Sequence, residues 1–270
     1  MELYKFKKII EYIHKFLWKY NQPLTSIPHY KSSIVSDLFI WRNSTDWVTY
    51  FEIFDIKSLF NDKEIQKIDV VELIFFNKSG SLINTIKLEI TENKRYTLPI
   101  TEYIQKKTSD EFGTFCVFHS SNPDVVRGLN SFLAERGYIS YQFKQSKIRS
   151  YVHGNFDAIA RHPNGNLELL GGTSFLNRNY NLQYKLLKNS FYEFIIVNTS
   201  NIIQRITFKY ISEDGKEIDI YELIIQVRGS NIYKFQPKAF NGRLIIISKL
   251  VMARPIVFKL NNHSCDVFHG

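Results

Sequence analysis

Two stretches of this chain gather the residue types that could do chemistry. One runs Arg149-Ser150-Tyr151-Val152-His153-Gly154-Asn155-Phe156-Asp157. The other begins Arg254-Pro255-Ile256-Val257 and goes on through Asn261, Asn262, His263, Cys265, Asp266 and His269. In both, an Arg leads a strand-like run, and a His and an Asp follow. On one strand, His153, Asn155 and Asp157 would share a face by period two. Three polar side chains buried together without partners cost several kcal/mol. The set is therefore expected to line solvent, a wet cleft or itself.

The chemistry open to such a set is acid–base or polar recognition: His as general base, Asp as its orienting partner, Arg149 or Arg254 as an anion clamp. Cys265 would serve as a nucleophile only with His263 or His269 beside it. A metal needs three or four converging ligands. His153, Asp157, His263, Asp266 and His269 supply the types, but spacing does not bring them together, so no metal is assigned. The same residues serve equally as loop-end hydrogen-bonding groups. His119 follows the apolar run Thr114–Phe118 and precedes Ser120-Ser121-Asn122, where an expected helix N-terminus would favour an anion. Arg136 and Tyr138, at the other end of that helix, could face the same region, although Arg136 also suits the helix dipole. Trp41 and Trp47 bracket a polar turn, as platforms for a sugar ring or as core caps. The candidate catalytic residues are thus His119, His153 and Asp157. The candidate binding residues are Arg136, Tyr138, Arg149, Asn155, Arg254, His263, Asp266, His269, Trp41 and Trp47.

These residues must be positioned by strands. From Ser36 onward, short apolar and aromatic runs are broken by turn signals such as Asn43-Ser44, Asn77-Lys78-Ser79-Gly80 and Glu92-Asn93. Two helices interrupt this texture. Leu3, Phe6, Ile9, Ile10, Ile13, Phe16, Leu17 and Tyr20 recur at helical spacing before Pro23, giving an amphipathic helix that docks on the fold or lies on a membrane surface. Pro123 to Gly137 reads as an inserted helix with Val126, Leu129, Phe132 and Leu133 on one face.

The strand pattern then repeats. Glu72-Leu73-Ile74-Phe75-Phe76-Asn77-Lys78-Ser79 matches Glu193-Phe194-Ile195-Ile196-Val197-Asn198-Thr199-Ser200 at an offset of 121 residues. Ile90–Asn93 falls on Ile211–Asp214 at the same offset, and Arg149–Val152 resembles Arg254–Val257 at 105. The difference of about 16 residues fits a helical insertion in the first copy. The expected fold is all-β: two tandem, related, jelly-roll-like β-sandwiches, with the N-terminal helix and linker at 1–35, the first sandwich at 36–160 and the second at 161–270. The polar, breaker-rich segment Ala160–Phe175 falls between them.

Within the second copy, several features come in a suggestive order. An Asn-ended strand, Ile196-Val197-Asn198, is followed by a strand-turn-strand from Ile206 to Ile220 and the Phe235-Gln236-Pro237 turn. Ile245–Ser248 then leads into Arg254-Pro255-Ile256-Val257. This order resembles the β-sandwich of sensory-rhodopsin transducer proteins over roughly one copy. The resemblance implies a sandwich that oligomerises and binds protein partners or sugar-like ligands without enzyme activity. It carries over no site residues.

Composition bounds the function. The net charge of +9 is spread without a run of like charges, so a nucleic-acid footprint is not expected. There is no GxGxxG before a helix, no GxxxxGK[ST], HExxH, GxSxG or CxxC, and no cofactor is indicated. The absence of a signal-peptide pattern or an apolar span, with two cysteines, Cys116 and Cys265, points to a cytoplasmic protein with reduced thiols. The leading expectation is a non-catalytic module binding a carbohydrate or a protein. The alternatives are an enzyme acting on a small polar or sugar-like substrate through the His/Asp/Arg cluster and, more weakly, nucleic-acid binding.

Overall fold

A computed structural model describes residues 28–30, 32–54, 69–90, 95–119, 134–135, 137–144, 146–238, 240–251, 255–261 and 264–270. For residues 54, 69, 134, 135 and 155–157 it describes the backbone only. The expected N-terminal helix, most of the inserted helix, and Arg136, Arg254 and His263 lie outside the described residues. Ala134–Glu135, at the end of the expected inserted helix, are instead a two-residue strand that pairs with Val35 and Ser36.

The first sandwich is built from β1 (Ile34–Arg42), β2 (Trp47–Phe54), β3 (Asp69–Asn77), β4 (Leu82–Ile90), β5 (Arg95–Pro99), α1 (Ile100–Ile104), β6 (Phe112–Phe118), β7 (Ala134–Glu135), β8 (Tyr138–Phe143), β9 (Ser150–His153), β10 (Asn155–Arg161) and β11 (Leu167–Leu169). Its long sheet runs β11-β10-β1-β6-β3-β4 and its short sheet β5-β2-β8-β9. The second sandwich uses β12 (Thr173–Asn181), β13 (Phe191–Val197), β14 (Gln204–Ser212), β15 (Glu217–Ile225), β16 (Ser230–Phe235), β17 (Gly242–Leu250), β18 (Ile256–Leu260) and β19 (Cys265–His269). Its sheets run β12-β17-β14-β15 and β16-β13-β18-β19. Among the described residues no helix is long and apolar enough to cross a membrane.

The two sandwiches share one topology. The order β4-β3-β6-β1 corresponds to β15-β14-β17-β12, and β5-β2-β8-β9 to β16-β13-β18-β19. Local details follow the same correspondence. Gly80 (φ 84) and Gly215 (φ 83) close the equivalent turns Asn77–Ser81 and Ser212–Lys216, where a side chain would strain the left-handed backbone. The register shift at Phe75/Phe76 recurs at Tyr210/Ile211. Gly113 and Gly242 each leave room for the facing backbone carbonyl, of Phe76 and of Ile211. This places the counterpart of β3 at β14, whereas the sequence blocks matched at an offset of 121 set β3 against β13. Those two strands have different neighbours: β3 pairs with β4 and β6, β13 with β16 and β18. Apolar alternation is shared by every half-buried strand, so it slips easily, while a positive-φ glycine in a turn does not.

The outward face of β13 and β18 closes one end of the first sandwich. Ile195, Val197, Ile256, Phe258, Cys265 and Val267 belong to the same core as Trp41, Phe51, Phe75 and Phe115. A buried ion pair crosses this junction, from Arg42 to Glu193, and Lys234 Nζ lies 3.4 Å from the other carboxylate oxygen. The Arg42 guanidinium also stacks 3.9 Å from the Trp47 ring. The opposite face of the same two strands packs Tyr192, Phe194, Ile196 and Val257 into the second core, the alternation a strand buried on both faces must have.

Candidate functional site

The outer face of the short sheet β5-β2-β8-β9 brings the largest set of recognition side chains together. β2 reads Trp-Val-Thr-Tyr-Phe-Glu-Ile-Phe, so Thr49, Phe51 and Ile53 point into the core and Val48, Tyr50 and Glu52 point out. Backbone pairing sets Tyr50, Ser140 and Tyr151 in one row and Glu52, Tyr138 and His153 in the next. Arg149 precedes β9 and lies with its guanidinium 3.7 Å from the Tyr50 ring centre, a cation–π contact. The Tyr50 hydroxyl donates to Gln142 Oε1 at 3.3 Å. Glu52 is held by Arg95 Nε at 2.9 Å and Thr97 Oγ1 at 2.8 Å. Tyr138 and Tyr151 are 58% and 46% exposed. Between them sits Ser140, wholly buried, its hydroxyl without a hydrogen-bond partner among the described residues.

The counterpart face in the second sandwich has the opposite chemistry. Following the strand pairing, Tyr50 corresponds to Glu193, Ser140 to Phe258, Tyr138 to Ile256 and Tyr151 to Val267. Those four are buried against the first sandwich. One face of a shared scaffold is thus an internal joint in one copy and a tyrosine-rich exposed surface in the other.

Of the residues expected from sequence, Tyr138, Arg149 and His153 meet on this face. His269 joins them from β19: its Nε2–H donates to the His153 carbonyl at 3.2 Å, and the two rings lie 4.2 Å apart. His153 Nδ1–H donates to the Gly154 carbonyl at 2.9 Å. A carbonyl only accepts, which fixes the proton on that nitrogen.

Other expectations are corrected. His153, Asn155 and Asp157 do not share a strand: the chain leaves the short sheet after His153 and enters the long sheet at Asn155. Gly154 makes the crossing, where a Cβ would stand 2.6 Å from Asp37 Cβ and 2.8 Å from the Phe39 ring. The side chains of Asn155 and Asp157 lie outside the described residues. His119 is buried at the end of β6, in the sheet opposite His153, with its carbonyl 3.4 Å from Arg161 Nη2. Asp266 is exposed on β19, opposite Lys259. Trp41 and Trp47 are buried, which removes both as sugar platforms. Trp41 Nε1–H is shared between the Phe76 and Thr114 carbonyls. Cys265 is buried, and burial pushes its thiol up to about 11, against a smaller opposing effect of the Ser150 hydroxyl, which disfavours the thiolate that a nucleophile needs.

Sequence reasoning missed Tyr50, Ser140, Gln142 and Tyr151. The available signal was an outward tyrosine on each of three strands that pair side by side. It also missed a polar chain in which Ser33 Oγ donates to His162 Nδ1 at 2.7 Å and His162 Nε2 donates to Glu168 at 3.1 Å. That order resembles a nucleophile relay. Ser33 is wholly buried and His162 nearly so, so the chain serves to tie His29 and Ser33 to the turn at 162–168. No group of three or more metal-ligating side chains converges among the described residues.

No family model matches the chain, and no curated protein does. Among solved structures, a glycosyl hydrolase family 2 member from Bacteroides cellulosilyticus DSM 14838 aligns at 7% identity with a TM-score of 0.15, covering 91% of this chain and 30% of that one. A score so low carries no argument about fold or activity.

Proposed function

We propose that this protein is a non-catalytic binding module and that the outer face of β2, β8 and β9 seats its ligand, a carbohydrate chain. The observation that carries the reading is the contrast between equivalent faces: Tyr50, Tyr138 and Tyr151 are at least partly open to solvent where the second sandwich places Glu193, Ile256 and Val267 in a joint. Tyrosine rings pack on the CH faces of sugars, and their hydroxyls satisfy sugar hydroxyls at little entropic cost. Arg149, Gln142 and His153 supply polar groups around them. Tyrosines carried on three neighbouring strands suit a chain of several sugars better than a single ring.

The catalytic alternative through His119, His153 and Asp157 loses its main support, since the strand that was to align the last two is broken at Gly154. A protein ligand is the second reading, favoured because the counterpart face itself makes a protein contact and because tyrosine and arginine dominate interface hot spots. Titrating oligosaccharides of defined linkage by calorimetry tests the first reading. Binding that is weakened at least about tenfold by Tyr151→Ala, the effect of losing one stacked ring, supports it. Failure of every oligosaccharide, with capture of a protein through the same face, would replace it with the second.

A further inference from the structure

The second sandwich holds a cleft that the first has closed. It lies between the open edges of β15 and β16, has a volume of about 760 Å³, and is walled by Tyr221, Phe235 and Phe240 with Asp219, Gln236 and Lys238. Tyr221 and Tyr233 stack at 4.8 Å and 19°, and Phe235 continues the ladder at 5.6 Å from Tyr233. Tyr221 is 45% and Phe240 59% exposed, so two aromatic surfaces reach the opening. At the floor Tyr233 and Asp219 line the cleft together; burial first and the Asp219 charge second raise the ionisation of that phenol well above its usual range. Asp219 is exposed to the cleft, and its carboxylate has acceptor capacity for a ligand.

In the first sandwich the corresponding gap, between β4 and β5, is filled by α1. Ile100 and Ile104 are wholly buried there. Tyr103 lies against Phe75 at 6.4 Å and its carbonyl accepts Asn84 Nδ2–H at 2.9 Å. Phe75 and Asn84 are the counterparts of Tyr210 and Asp219, both of which line the open cleft. In the second copy Gln236, Pro237, Lys238 and Phe240 line the gap in place of α1, and the Phe240 carbonyl accepts the Tyr210 hydroxyl at 2.7 Å. The cleft is therefore not a feature the scaffold imposes.

We propose that this cleft is a second ligand site, separate from the tyrosine face, and that it takes a single pyranose ring. Aromatic faces match the apolar face of such a ring. A carboxylate accepts from two adjacent hydroxyls, and an amide and an ammonium on the rim complete a set with both donors and acceptors. The volume is ample for one sugar with bound water. The inference does not depend on the tyrosine face binding anything.

Saturation-transfer NMR on the full chain with free D-glucose, D-galactose, D-mannose and N-acetylglucosamine tests it. At least one sugar is expected to receive saturation on its ring protons. Tyr221→Ala and Asp219→Asn are each expected to weaken that sugar about tenfold or more, the scale of a stacking contact or a charge-assisted hydrogen bond, while Tyr151→Ala leaves it unchanged. Both altered residues are exposed, and thermal unfolding of each variant checks that the fold survives. No saturation for any of the four, no effect of Asp219→Asn in a folded variant, or a loss that follows Tyr151→Ala instead would each overturn the proposal.

Discussion

His153 and His269 hold the same position in the two sandwiches and meet. His153 pairs with Tyr138 across β8 and β9, and His269 with Ile256 across β18 and β19. Their rings lie 4.2 Å apart at 34°, and the two edge strands are further tied by Ser150 Oγ–H to the Cys265 carbonyl. A duplicated edge strand has thus become a seam between copies. His269→Ala removes the hydrogen bond to the His153 carbonyl and one ring contact. It should lower unfolding free energy by about 1–2 kcal/mol, measured by urea titration. A change indistinguishable from zero would mean the seam contributes nothing to stability.

The ion pair between Arg42 and Glu193 is buried at the junction. Arg42→Met leaves Glu193 buried with Lys234 as its remaining ion-pair partner among the described residues, and should cost about 3–5 kcal/mol. The double change Arg42→Met with Glu193→Gln should recover part of that loss, because no unpaired charge remains buried. Chemical denaturation of Arg42→Met, Glu193→Gln and the double variant reads the coupling directly; simple additivity would contradict it.

Gly80 and Gly215 separate turn strain from packing at the junction. Both have positive φ, but a Cβ on Gly80 would stand 2.2 Å from the Val227 carbonyl oxygen, whereas one on Gly215 meets nothing within 4 Å. Gly215→Ala should cost about 1–2 kcal/mol from the backbone alone. Gly80→Ala should cost more, since Val227 and the turn to Ser230 must move. Equal midpoints in thermal unfolding would show that this turn is not docked in solution.

Burial raises the ionisation of both thiols, Cys265 to about 11 and Cys116 further still. In the unfolded chain a thiol ionises near 9.0, so the folded state resists thiolate formation. Stability from this source is complete below about pH 9 and falls as pH rises toward 11. Tyr141, also raised by burial, acts in the same direction at higher pH. Unfolding free energy should therefore decline from about pH 9 upward, and iodoacetamide should label neither cysteine in the native state at neutral pH. Rapid native labelling of Cys265 would contradict its burial.

The strand texture and the turn at Asn77–Gly80 were legible in the sequence, because alternation and turn composition are local properties. The register of duplication was not. Glu72–Ser79 and Glu193–Ser200 look alike since both are strands with polar ends, yet only Gly80 and Gly215 occupy the same turn. The recognition face was half legible. Tyr138, Arg149 and His153 were marked by residue type, but Tyr50 lies far from them in sequence and joins only through strand pairing. Trp41 and Trp47 misled because the polar turn between them suggested exposure, while Arg42 in that turn is itself buried in a salt bridge. The placement of Asp157 failed at Gly154, where a strand pattern continuous in sequence crosses between sheets.

Calorimetric titration of the full chain and of the Tyr50→Ala, Tyr151→Ala double variant with an oligosaccharide that binds the parent tests the central claim most directly. The account predicts that removing the two rings abolishes the heat of binding at the tyrosine face, leaving at most the single-sugar binding of the separate cleft, while the thermal midpoint stays within a few degrees. Full affinity retained by the double variant would contradict it.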